Sequence, residues 1–132
     1  MIPRGIRILV CGSRSWYDYS KIYRVLADFR RDNEMLGGVT VIDGAANGAD
    51  ELAHKAAKAL SFKTERFPIT DEDWKKHGTA AGPVRNHRML TEGRPGLVIA
   101  FWLDKSPGTG DMLTQAQRAD IPCMIYQESN KK

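Results

Sequence analysis

Val41-Ile42-Asp43-Gly44-Ala45-Ala46-Asn47-Gly48-Ala49-Asp50-Glu51-Leu52-Ala53 is the stretch whose reading decides the fold. It passes from a β-branched apolar run, Val39 to Ile42, through a glycine turn into a helix opening at about Asn47 or Gly48. Gly44 and Gly48 let the backbone turn sharply and approach a ligand with no Cβ in the way. The helix that follows begins with unpaired N–H groups at the positive end of its dipole, a natural seat for an anion. An ordinary strand-to-helix connection explains the same letters, with Asn47 as cap and Asp50 favouring the dipole.

Upstream, Ile6 to Cys11 is short, β-branched and almost continuously apolar, the mark of a strand covered on both faces. Gly12-Ser13-Arg14 ends it, and Ser15 to Tyr19 reads as a loop before a helix capped near Ser20. In that helix Ile22, Val25, Leu26 and Phe29, extended to Met35-Leu36, recur at three- and four-residue intervals. Gly37-Gly38 stops it. Downstream of the opening stretch, Leu52, Ala53, Ala56, Ala57 and Leu60 give a helix with a small-residue face.

Phe62 to Phe67 is a third strand, polar enough to be placed at an edge. Pro68 to Gly82 shows no period and reads as a long loop, a kind that usually has a function or moves. Pro83 suits the first turn of the next helix, which carries Arg85, Asn86 and Met89. Leu97 to Trp102 is the most apolar strand, hence central. Leu103 to Gly108 reads as a turn, a last helix starts at Thr109 or Asp111, and Cys123 to Tyr126 is the final strand. Gln127 to Lys132 is expected to be a frayed polar tail.

Strands alternating with helices predict one three-layer α/β domain over residues 1–132, with a mainly parallel five-stranded sheet and helices on both faces. Right-handed crossovers leave strand orders 3-2-1-4-5 and 2-1-3-4-5. The first is preferred, because it sets the two most apolar strands side by side at the centre. A ligand crevice then lies beyond the carboxyl ends of strands 1 and 4.

Composition narrows the setting. The 42% apolar content is that of a globular chain, and no apolar run reaches the ~20 residues of a membrane span. The N-terminus does not read as a signal peptide. A formal charge of +4, with acids and bases interspersed, predicts a solvated surface rather than a nucleic-acid stripe. Cys11 and Cys123 fall on strands with another between them, about 10 Å apart and beyond disulfide reach. Reduced thiols and a cytoplasmic setting are expected. His54, His77 and His87 are scattered, so no metal site and no cofactor is expected.

Topology makes four loops converge at the crevice: Gly12-Ser13-Arg14, Gly44 to Asp50, the loop into Arg85-Asn86, and Ser106-Pro107-Gly108-Thr109-Gly110. The last offers successive backbone N–H groups and the Thr109 hydroxyl to a phosphate. Arg14 and Arg85 supply the forked geometry that clamps phosphate oxygens. Trp16, Tyr17 and Trp74 are candidates to stack on a base, with core packing or a lid contact as the competing explanation. For Arg85 the competing reading is a surface arginine, and for Asp50 it is helix stabilisation. Ser-Pro-Gly-Thr-Gly is neither a Walker A motif nor a dinucleotide fingerprint.

Gly12-Ser13-Arg14, Gly44-x-x-x-Gly48-Ala49-Asp50-x-x-Ala53, Gly82-Pro83-x-Arg85-Asn86-x-x-Met89 and Gly108-Thr109 together resemble the YspA-like, cpYpsA-related branch of the SLOG superfamily. That Rossmann-like group includes the LOG phosphoribohydrolases and the DprA DNA-processing proteins. The resemblance runs from Ile6 to Tyr126 and implies a nucleotide or nucleotide-derived ligand, sensed or processed at the glycine loops. It also implies a homodimer, for which the stripe Ile22-Val25-Leu26-Phe29 is core or interface.

The LOG enzymes release a base from a nucleoside monophosphate with an arginine that Arg85 matches and a glutamate after their Pro-Gly-Gly-x-Gly-Thr loop. Here that loop is shortened to Pro107-Gly108-Thr109, and Met112 stands where glutamate is expected. N-glycoside cleavage needs a carboxylate near the sugar, so Asp50, Glu51 or Asp111 would have to substitute. The leading expectation is nucleotide binding. N-glycosidic hydrolysis with Arg85 and Asp50 or Asp111 is the alternative, and DNA binding the third.

Overall fold

The computed structural model describes residues 5–33, 38–103 and 106–128. Along the chain run β1 (Ile6–Gly12), α1 (Tyr19–Asn33), β2 (Val39–Asp43), α2 (Ala49–Ala59), β3 (Lys63–Arg66), α3 (Asp71–His77) and a 3-10 turn (Gly78–Ala80). α4 (Ala81–Gly93), β4 (Leu97–Leu103), α5 (Pro107–Arg118) and β5 (Cys123–Glu128) complete it. All four strand pairings are parallel, in the order β3-β2-β1-β4-β5.

Alternation along the central strands divides the core in two. Ile8 and Val10 of β1, with Ile99 and Phe101 of β4, face α1 and α2. Leu9 and Cys11, with Val98 and Ala100, face α4 and α5. Successive strand residues point to opposite faces, so a strand covered on both sides must be apolar throughout. Burying a side chain such as Phe101 contributes ~2–3 kcal/mol. Ala49, Ala53, Ala56 and Ala57 are fully buried, and their small side chains let α2 lie close on the sheet. Ile22 and Leu26 of α1 are core, with Val25 and Phe29 half-buried against them. β3, at one edge, has no buried residue.

Several boundaries differ from the sequence expectation. The cap of α1 is Asp18, whose carboxylate accepts from the Lys21 amide at 3.1 Å, so Ser20 lies inside the helix. Gly48, with φ 75°, precedes α2 without a side-chain cap, which removes Asn47 from that role. The expected loop over residues 68–82 contains α3, started by a capping box in which Thr70 and Asp73 bond each other's backbone amides. α5 begins at Pro107, two residues before the expected start, because proline's fixed φ suits a first helical turn. Gln127 and Glu128 pair with β4 rather than fray. Met35, Leu36, Gly37, Asp104, Lys105 and residues 129–132 lie outside the described residues.

Among the described residues, no helix is long and apolar enough to cross a membrane. Cys11 and Cys123 are both free thiols.

Candidate functional site

The chain winds outward from β1 to β3, then returns to the other side of β1 as β4 and β5. The carboxyl ends of β1 and β4 therefore border the crevice where an open parallel sheet takes its ligands. Gly12 ends β1 there. A Cβ at this position would run into the Phe101 carbonyl and come within 2.6 Å of Ala49 Cβ, so only glycine allows this approach of β1, β4 and α2.

Ser13 joins the two strand ends. Its hydroxyl donates to the Leu103 carbonyl and accepts from the Leu103 amide, both at 2.7 Å. Its amide donates to the Phe101 carbonyl, and its own carbonyl accepts from Trp16 and Ala49. Ser13, expected as part of a loop at the crevice, is thereby committed to the fold. Gly48 packs so close to this turn that a Cβ would strike the Ser13 and Arg14 carbonyls.

Asp50 sits in the first turn of α2 and folds back over the glycine turn. One carboxylate oxygen accepts from the Gly44 amide at 3.1 Å and the Ala46 amide at 3.2 Å. Only 6% of the residue is exposed. Burial, then the neighbouring Asp43 carboxylate, push its pKa up to about 7, against the pull of the two amides and Arg85.

Asp43 itself is fully buried at the end of β2. One oxygen accepts from the Ala45 amide at 2.7 Å and Arg66 Nε at 3.0 Å. The other lies 3.8 Å from His54 Nδ1. Burial raises the Asp43 pKa despite the pull of Ala45 and Arg66. Sequence reading passed over Asp43 because an aspartate closing a strand carries no motif.

Arg85, near the start of α4, lays its guanidinium across the glycine turn. Nη1 donates to the Gly44 carbonyl at 2.6 Å and the Phe67 carbonyl at 3.3 Å, and Nε to Asn86 Oδ1 at 3.3 Å. A Cβ on Gly44 would sit 2.6 Å from Nη1, so glycine there makes room for the arginine. Burial lowers the Arg85 pKa, but a guanidinium stays charged in any protein. Asn86, also buried, donates to Asp111 Oδ2 at 2.9 Å, and Gln115 Nε2 donates to the same oxygen at 2.8 Å. Asp111 is thus held as an oriented carboxylate.

In the first turn of α5 the Gly110 amide already bonds the Ser106 carbonyl. The Gly108 and Thr109 amides precede the first possible intrahelical acceptor. The Ser106 hydroxyl donates to Thr109 Oγ1 at 2.8 Å.

These pieces border one cleft of about 760 Å³, within the usual size of a small-molecule site. Gly12, Ser13, Arg14, Asp50, Arg85 and Asn86 line it. From α5, Pro107, Gly108, Thr109 and Asp111 also line it. Gly44, Gly48 and Gly110 do not, and act from behind: Gly44 seats Arg85, Gly48 packs on Ser13 and Arg14, and Gly110 lies against Trp102.

Trp16 requires a correction. It is 3% exposed, packed on Phe101 with ring centroids 5.4 Å apart, and lines no part of the cleft. Tyr17 is exposed but outside it, whereas Trp74 of α3 lies on its wall. Met112 of α5, where the LOG enzymes' glutamate is expected, is buried in the apolar core between the sheet and α4 and α5, with one edge on the cleft. Cys11 also borders the cleft, and burial raises its pKa, so the thiol stays protonated and unreactive. Among the described residues, no three His, Cys, Asp or Glu side chains are grouped to hold a metal ion.

A doubly wound parallel sheet with cations and open helix amides at its switch point defines a Rossmann-like domain. The chain belongs to the YspA, cpYpsA-related SLOG family, whose model matches residues 6–77, that is β1 to α3. It is 37% identical over 124 residues to Gene 61 protein of Mycobacterium phage D29, covering 91% of this chain and 95% of that protein. The likeness thus extends beyond the matched span to most of the chain.

Among solved structures, DNA processing protein A (DprA) from Streptococcus pneumoniae superposes with a TM-score of 0.54 at 15% identity. That superposition covers 91% of this chain and 58% of the DprA chain, so this chain spans little more than half of it. The C-terminal domain of PF1911 hydrogenase from Pyrococcus furiosus superposes with a TM-score of 0.51 at 14% identity, covering 96% of this chain and 95% of that one. At these identities the likeness is one of fold.

Proposed function

We propose that this chain binds a nucleotide or nucleotide-derived ligand in the cleft between β1 and β4, as a sensor or processor of it. The phosphate is held by Arg14, Arg85 and the Gly108 and Thr109 amides. The observation that carries this reading is that two guanidinium-bearing residues and an open helix turn, from three distant parts of the chain, border one nucleotide-sized cleft.

A thermal-shift series with AMP, NAD and inorganic pyrophosphate tests it. A ligand present at 100 times its Kd contributes about 2.7 kcal/mol, which raises the Tm of a domain this size by roughly 10 °C. No shift with any of the three compounds would overturn the reading.

The second reading is N-glycosidic hydrolysis, and one observation favours it: the cleft contains a buried carboxyl, Asp50, whose pKa of about 7 suits a general acid at neutral pH. In it Arg85 holds the phosphate, Asp50 protonates the departing base, and Asp111 supplies the carboxylate that such cleavage needs. Release of free base from AMP or NAD, lost in Asp50→Asn, supports it; no release from either removes it. The fold likeness to DNA processing protein A of Streptococcus pneumoniae raises DNA binding as a third reading, which the modest charge of +4 disfavours. Electrostatic binding is strongest at low salt, so an absent gel shift there disposes of it.

A further inference from the structure

One wall of the cleft has no part in anion binding. α3 buries none of its seven residues, yet sets Trp74 on the cleft with 49% of that residue exposed. The other two tryptophans have partners within the fold. Trp16 packs at a tilt against Phe101 in the core, and Trp102 donates its indole N–H to the Ser106 carbonyl. Trp74 alone among the three is left largely open.

Its helix is nonetheless held in place at two points. The Thr70–Asp73 capping box fixes its first turn, and Arg88 of α4 bonds the second Asp73 oxygen at 3.1 Å. Asp73 precedes Trp74 directly, so these bonds hold the backbone from which the indole projects. Ile69, just before α3, and Pro83, in the first turn of α4, add apolar surface to the same cleft.

We infer that Trp74 is the base-recognising residue of the site, stacking on the nucleobase of a ligand whose phosphate lies against Arg14, Arg85 and the start of α5. This deepens the nucleotide-binding reading and rests on it. A planar π-face beside a cationic, amide-lined pocket fits a base joined to a phosphate better than a bare sugar phosphate. Stacking reads the face of a base and not its edge, so Trp74 separates base-bearing from base-less phosphates and tolerates different bases.

Calorimetric titration of AMP and of ribose 5-phosphate into the whole chain and its Trp74→Ala and Trp74→Phe variants tests this. The expected result is that Trp74→Ala weakens AMP by about 5- to 150-fold while leaving ribose 5-phosphate unchanged. Trp74→Phe retains AMP within about threefold, since an aromatic face remains. A urea midpoint equal to the parent's confirms that each variant is folded, as expected where no α3 residue is buried.

AMP bound equally by the parent and Trp74→Ala overturns the inference and leaves the phosphate reading standing, as does an equal loss for both compounds. Binding of neither compound by the parent overturns the inference, and the nucleotide reading falls with it when NAD and pyrophosphate also fail to bind.

Discussion

Ser13 and Trp74 border the same cleft, yet one is 1% exposed and the other 49%. Around Ser13 the hydroxyl, amide and carbonyl are all bonded to other parts of the chain, and glycines at positions 12 and 48 allow backbone contacts that no side chain would fit between. Around Trp74 the helix stands on a cap and one ion pair. The difference teaches that the side of the cleft proposed to hold the phosphate is part of the fold's central joint, whereas the aromatic side is an attachment to it. Rigid donors position a phosphate with little reorganisation on binding, and a lightly held helix can adjust to what stacks on it.

The largest expected effect comes from breaking the locked side. Gly48→Ala combines a left-handed backbone (φ 75°) with a Cβ driven into the Ser13 and Arg14 carbonyls. Strain and overpacking together should destabilise by about 3–4 kcal/mol, read as a fall in the urea midpoint. A loss below ~1 kcal/mol would mean that this turn yields easily, and the contrast between the two walls would weaken.

Asp50 gives the next effect, through pH. Its folded-state pKa of about 7 exceeds the ordinary aspartate value of 3.8, with burial the first cause and Asp43 the second. The folded chain therefore holds this proton more tightly than the unfolded chain does. The associated stability is complete below about pH 4 and is lost as pH rises to about 7. Asp43 is shifted in the same direction. Asp50→Asn, which keeps an oxygen for the Gly44 and Ala46 amides, should flatten the fall between pH 4 and 7 by on the order of 2–3 kcal/mol. An unchanged slope would show that the carboxyl is not desolvated where the locked wall places it.

The contrast between the walls also separates what the letters of the chain disclose from what they hide. Hydropathy chooses between the two strand orders that right-handed crossovers allow, because Ile6 to Cys11 and Leu97 to Trp102 are the most apolar strands and so belong side by side at the centre. The sheet order in turn brings Gly12-Ser13-Arg14, Asp50, Arg85 and Thr109 to one rim. A helix of seven residues is too short to show a period, which is why α3 reads as loop. Its signature was the Thr70-x-x-Asp73 spacing of a capping box, with aspartate in place of the commoner glutamate. Trp16 is mistaken for a ligand contact because its burial depends on Phe101, a residue 85 positions away that no local pattern connects to it. The second bond of Asp43, to Arg66, is equally invisible until β3 lies beside β2.

The smallest effect belongs to the lightly held wall and sharpens the comparison most. Thr70→Ala removes the hydroxyl that accepts from the Asp73 amide at 3.1 Å, a cap contribution of about 1 kcal/mol to α3 alone. Because no residue of α3 is buried, the helix should open locally without the core. The urea midpoint should then stay within ~0.5 kcal/mol of the parent, while hydrogen exchange at the Asp73 and Trp74 amides speeds up several-fold and exchange in α2 is unchanged. A global loss above ~1 kcal/mol would join α3 to the folding unit of the sheet and erase the contrast with Ser13. The expected pattern would instead make α3 the part of the cleft whose order depends on what occupies it, and saturating AMP should then slow its exchange more than that of α2.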